Sequence, residues 1–134
     1  MIKLKFNDIV RFTIIKKGFF LILISAFSCK NTPDLPDAHK AGWNGQPVSE
    51  IIHEDATMRV LKCTFPPNVG HEKHYHVPHF GYTVKGSTFQ ITDDKGTRTV
   101  DVKTGTTFSK SDISVHEVLN VGDSTAVFLI YEPK

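Results

Sequence analysis

The sequence predicts an all-β domain, an antiparallel jelly-roll barrel, and three observations carry that prediction. From Ser49 onward, short runs rich in β-branched and aromatic residues follow one another. Turn residues separate them: Pro66-Pro67-Asn68, Lys85-Gly86, Asp93-Asp94-Lys95-Gly96, Thr104-Gly105 and Gly122-Asp123. No segment sustains an apolar period of 3.6 residues, so no amphipathic helix is expected. The runs cover residues 49–53, 58–65, 80–85, 88–93, 97–102, 106–109, 114–121 and 125–131. About eight short strands suit a small closed barrel, wide enough for side chains and one small ligand. The turn at residues 94–96, between Phe89/Ile91 and Val100/Val102, is the clearest hairpin.

The chain of 134 residues holds one domain, and its ends differ in charge. The whole has a net charge of +2, which at first sight admits nucleic acid or acidic lipid as a partner. Residues 1–28 contain Lys3, Lys5, Arg11, Lys16 and Lys17 against Asp8 alone. The remainder is slightly acidic, so no nucleic-acid partner is expected. All seven histidines lie in that remainder.

Residues 1–28 read as a signal peptide: Lys16-Lys17-Gly18, then the apolar run from Phe19 to Ile24, then small residues. The run is about half the length a transmembrane helix needs. Ala26-Phe27-Ser28-Cys29 resembles a bacterial lipoprotein signal, with Ala26 where leucine is usual. The expectation is export to the periplasm or cell envelope and membrane attachment through a lipid on Cys29. Cys63 then has no disulfide partner. It lies in an alternating apolar run with Leu61 and Phe65, as a small core residue does.

Residues 29–48, with Pro33, Pro36, Pro47, Gly42 and Gly45, read as a flexible linker. Trp43 is its exception, an aromatic suited to packing back onto the domain. The barrel is assigned to residues 49–134.

The chemistry concentrates in Gly70-His71-Glu72-Lys73-His74-Tyr75-His76-Val77-Pro78-His79. His74 and His76 are two apart, so on a strand both imidazoles face one side. Neutral imidazole is a common ligand for zinc, iron, copper and nickel. His116, on a later strand, is the natural third ligand.

The spacing resembles the cupin family, whose first motif is Gly, five residues, His-x-His, three or four residues, Glu, six residues, Gly. Asn68 stands at the first glycine place, His74-Tyr75-His76 at the histidine pair, and Gly86 at the last glycine. Counting back from Gly86, the glutamate place falls on His79, one residue early. Gly105, His116 and Asn120 match the second motif, with Ser111 for its proline and Ile113 for its middle glycine.

The resemblance implies a metal centre of His74, His76, His116 and His79. His71 is the other residue able to take the glutamate place. Iron, nickel, copper, cobalt and zinc all suit such ligands. An all-histidine set leaves the ion its full charge, which favours an anionic or carbonyl-bearing small molecule. Similar all-histidine cupins include oxygen-using iron enzymes, so a dioxygenase-like or lyase-like activity is one expectation. The alternatives are a non-catalytic module for a metal or small ligand, and a structural lipoprotein. Glu72 and Tyr82 are candidate acid–base residues, with Tyr75 as a supporting group. Tyr82 shares its parity with Phe80 and Val84, which alternatively makes it wall packing. The resemblance and strands apolar on both faces also imply a homodimer.

Overall fold

The structure, a computed structural model, describes residues 32–134. The signal peptide and Cys29 lie outside the described residues. The described chain is built of β-strands and contains no helix.

A small hairpin comes first, β1 (Gly42–Trp43) and β2 (Gln46–Pro47). Then come β3 (Ser49–Glu54), β4 (Met58–Phe65), β5 (Gly70–His76), β6 (His79–Lys85) and β7 (Ser87–Asp93). They are followed by β8 (Gly96–Val102), β9 (Thr107–Lys110), β10 (Ser114–Asn120) and β11 (Ala126–Pro133). Eight of these coincide with expected strands to within two residues at either end. The sequence reading did not delimit β5, whose polar, histidine-rich run hides the usual alternation of strand residues.

Two antiparallel sheets face each other, one in the order β5-β10-β7-β8 and one in the order β3-β4-β11-β6-β9. The β7/β8 hairpin closes over Asp94-Lys95, with Asp93 opposite Gly96, as the turn residues predict. Gly105 sits at φ +82° and Asn68 at φ +64°. Both are turn conformations that most side chains avoid and that asparagine tolerates. That explains how Asn68 serves where the cupin motif has glycine.

Inward-facing Leu61, Cys63, Phe65, Phe89, Phe128 and Ile130 form the core. Phe65, Phe89 and Phe128 meet edge-to-face, with centroids 5.5 to 6.0 Å apart. Burial pushes the Cys63 thiol up to about 12, which keeps it unreactive.

The linker expectation is corrected for much of residues 32–48. Ala38 is wholly buried, Ala41 and Val48 nearly so, and Trp43 packs against the core. Asp37 bridges to Tyr75, whose N–H donates to the Pro36 carbonyl at 3.1 Å. The few apolar side chains here are small, and they fill the gap beside β5. Composition alone did not show that the barrel needed covering there.

Candidate metal centre

His74 and His76 reach the barrel interior from β5, and His116 reaches it from β10. His116 is the direct cross-strand partner of His74. An i, i+2 pair and a cross-strand neighbour share one face, with side-chain roots about 5 Å apart across the strands and about 7 Å apart along one. The ring centroids form a near-equilateral triangle: 4.8 Å for His74–His76, 4.7 Å for His74–His116 and 5.1 Å for His76–His116. One nitrogen from each ring lies within 4.8 Å of the other two.

A bulge sets this arrangement. Between the pairs His116–His74 and Val118–His71, β10 advances two residues and β5 advances three. The extra residue falls at Glu72-Lys73, which are both exposed, while His71 and His74 are both buried.

A hydrogen bond fixes the His74 tautomer. The His74 Nδ1–H donates to the Glu72 carbonyl at 2.6 Å, which leaves Nε2 as a lone pair. That Nε2 faces the Nε2 of His76 at 3.0 Å. Two nitrogens at about 2.1 Å from one ion, at right angles, are about 3.0 Å apart. All three rings are held neutral at pH 7. Burial lowers His74, with help from neighbouring imidazoles it takes His76 well below the ordinary value, and together they bring His116 to about 2. Uncharged, buried, converging imidazoles are the state in which a metal ion binds without first displacing protons from charged rings. His74, His76 and His116 are therefore positioned to hold a divalent metal ion.

Among the described residues the converging group holds three ligands, with the fourth expected one, His79, at its edge. His79 is buried next to His76, centroids 4.6 Å apart, but stands outside the converging trio. Its Nδ1–H donates to the Val77 carbonyl at 2.8 Å, which leaves Nε2 as a lone pair, as in His74. His71 does not take the place either. Its Nε2–H donates to the Ala41 carbonyl at 3.1 Å, and its ring lies against His74 at 3.8 Å. Burial, then the neighbouring His74, brings His71 down to about 3.

The two candidate acid–base residues are corrected as well. The bulge turns Glu72 outward, where its Oε1 accepts the Asn44 N–H at 3.0 Å. Tyr82 lies on the outer face of β6 with Phe80 and Val84, each about 40% exposed. Neither borders the cavity. Asn120 proves structural: it is wholly buried and holds together the turns at the far end of the barrel.

Sequence reasoning missed Glu132 and Arg59. Glu132 ends the inward series Ala126, Phe128, Ile130 of β11, and Arg59 is its register partner on β4. An acid at the inward parity of an apolar strand was the available signal.

His76 and His116 border a cavity of about 980 Å³, lined further by Phe65, Phe89, Phe108, Phe128 and Ile130. Lys95, Lys110 and Asp112 border it too. This suits a small molecule with a largely apolar body and a polar head.

No family profile matches the sequence, and no curated protein matches it. Solved structures do. A cupin domain from Bordetella pertussis superposes with TM-score 0.61 at 18% identity, over 77% of this chain and 99% of that one. The polyketide cyclase RemF from Streptomyces resistomycificus matches with TM-score 0.53 at 20% identity, over 78% of each chain. A sugar phosphate isomerase from a cupin superfamily, from Silicibacter pomeroyi, matches with TM-score 0.50 at 17% identity. That match covers 64% of this chain and 58% of the isomerase. The fold of residues 32–134 is the cupin fold.

Proposed function

We propose that this cupin-fold chain is an exported, membrane-tethered metalloprotein. It binds a divalent transition metal through His74, His76 and His116 and acts on a small carbonyl-bearing or anionic molecule, as an oxygenase or lyase. The carrying observation is the convergence of three neutral imidazoles, of which His76 and His116 border a largely apolar cavity. When bound, the metal would polarise a substrate oxygen or lower the pKa of a bound water. The aromatic walls would hold the substrate body and keep water from it. His79, with its proton pinned to Val77, turns its other nitrogen into an acceptor for a substrate donor. The cyclase and the isomerase that share the fold support a small-molecule ligand.

Metal analysis of the purified mature domain tests the reading, with His74→Ala and His116→Ala alongside. The expectation is about one equivalent of metal in the native domain and at least a tenfold loss of affinity in either variant. Equal metal content in all three would remove the site. Oxygen uptake by the iron-loaded domain with small diketones and carboxylates then tests catalysis. The outward position of Glu72 and Tyr82 favours a second reading, a non-catalytic metal or ligand-binding module. Silence across redox-active metals selects it.

The lipid anchor on Cys29 and a homodimer belong to the same proposal. The dimer rests on exposed Phe80, Tyr82 and Val84, which form a stripe on the outer face of the five-stranded sheet. Radiolabelled palmitate incorporation, lost in Cys29→Ala, tests the anchor.

A further inference from the structure

Among the described residues, Glu132 is the only buried carboxylate, 2% exposed at the inner end of β11. Its two oxygens live differently. Oε2 accepts from Arg59 twice, from Nε at 2.7 Å and Nη2 at 2.6 Å. Oε1 has no hydrogen-bond partner and lies 3.5 Å from the Nδ1 of His76. That Nδ1 is itself buried without a partner. A buried polar atom left unpaired is destabilising, so two orphans facing each other are a pair waiting for a proton.

His76 carries one proton in its neutral form, and two acceptors compete for it. With the proton on Nε2, it reaches His74 Nε2 at 3.0 Å and leaves Glu132 unmatched. With the proton on Nδ1, it satisfies Glu132 Oε1, and Nε2 becomes a second lone pair facing that of His74. Only a cation between the two Nε2 atoms makes the second arrangement favourable.

We infer that Glu132 is a positioning residue of the metal centre: it accepts the His76 Nδ1 proton and so commits His76 Nε2 to the metal. The inference rests on the metal reading above. Arg59 holds the carboxylate from behind and is itself approached by Asp37 Oδ2 at 3.4 Å. The Glu132 carboxylate also sets a negative end, partly offset by Arg59, close behind a ligand set that has none, and raises the basicity of the imidazole it faces. A buried Arg–Glu pair alone adds little stability over apolar side chains of the same volume, so stability is a weak reason to keep this one.

The test uses the mature domain, ¹⁵N-labelled and titrated with zinc. Glu132→Gln keeps the shape and removes the charge. Arg59→Met/Glu132→Gln avoids a stranded guanidinium and decides the matter if the single variant fails to fold. Zinc affinity is expected to fall about 10- to 100-fold in the folded variants. In native zinc-bound protein the His76 ring is expected to be protonated at Nδ1, with a strongly downfield proton that moves upfield in the variants. The His74 tautomer is expected to stay the same. Native-like zinc affinity and an unmoved His76 proton in a folded variant would overturn the inference and leave the metal site standing. A native domain that binds no zinc or other divalent metal would overturn both.

Discussion

The two ends of the barrel interior are both polar, and they are finished differently. At one end Asn120 is wholly buried and uses its full capacity. Its Oδ1 accepts from Ser87 Oγ at 2.8 Å and the Gly122 N–H at 3.1 Å, and its Nδ2 donates to the Phe65 and Ser124 carbonyls at 2.8 Å. At the other end five imidazoles and a carboxylate crowd together, and His76 Nδ1 and Glu132 Oε1 stay unmatched. A completed network serves the fold. An incomplete one, held by backbone carbonyls in chosen tautomers, is a site built for something not supplied by the chain.

The contrast can be broken most forcefully at Asn120. Asn120→Ala takes a partner from two carbonyls and removes the acceptor of the buried Ser87 hydroxyl. It is expected to cost about 3 kcal/mol in urea unfolding while metal stoichiometry stays native in the folded fraction. A metal loss equal to that of His74→Ala would mean that the two ends are not separate.

Acid should act at the histidine end alone. The folded values of His71, His74, His76 and His116 lie below the ordinary 6.5, so the unfolded chain binds more protons below that pH. Stability is therefore complete above about pH 6.5 and falls as pH drops toward the folded values, by up to roughly 1.4 kcal/mol per unit for each ring kept neutral. Denaturant midpoints of metal-free protein from pH 8 to 5 measure this. The slope should shrink in His71→Phe, and a flat profile would contradict the burial of these rings.

The smallest effect is expected outside. Tyr82→Glu should change monomer stability by no more than about 0.5 kcal/mol and leave metal affinity intact, while shifting the light-scattering mass from dimer to monomer. A monomeric native domain would refute the dimer, and a metal defect in this variant would return Tyr82 to the site.

Much of the barrel was legible because its strands are local patterns. Val100/Val102 against Phe89/Ile91 across a tight turn, or the dense apolar run from Ala126 to Tyr131, announce themselves within a few residues. The ligand trio was legible too, since His74 and His76 obey the two-residue period and His116 keeps the cupin interval. What failed was whatever depended on partners distant in sequence. Ala38 and Ala41 look like linker until β5 needs covering. Glu132 looks like a polar C-terminal residue until Arg59 comes beside it. His79 was placed by counting, and the Val77 carbonyl two residues back orients its ring. Glu72 was expected near the metal as an acid–base candidate beside the histidine pair, and the bulge turns it outward.

That bulge has a consequence for how the strand can change over time. One added residue uncouples the phase of the positions before it from the phase of those after it. Glu72 and Lys73 sit in the gap, both turned to the surface. Apart from the bond that Glu72 accepts from the Asn44 N–H, they can change in charge and size without rotating His71 on one side or His74 and His76 on the other. The outer surface of β5 is thus free to vary at the one place nearest the metal ligands, and the chemistry within stays in register.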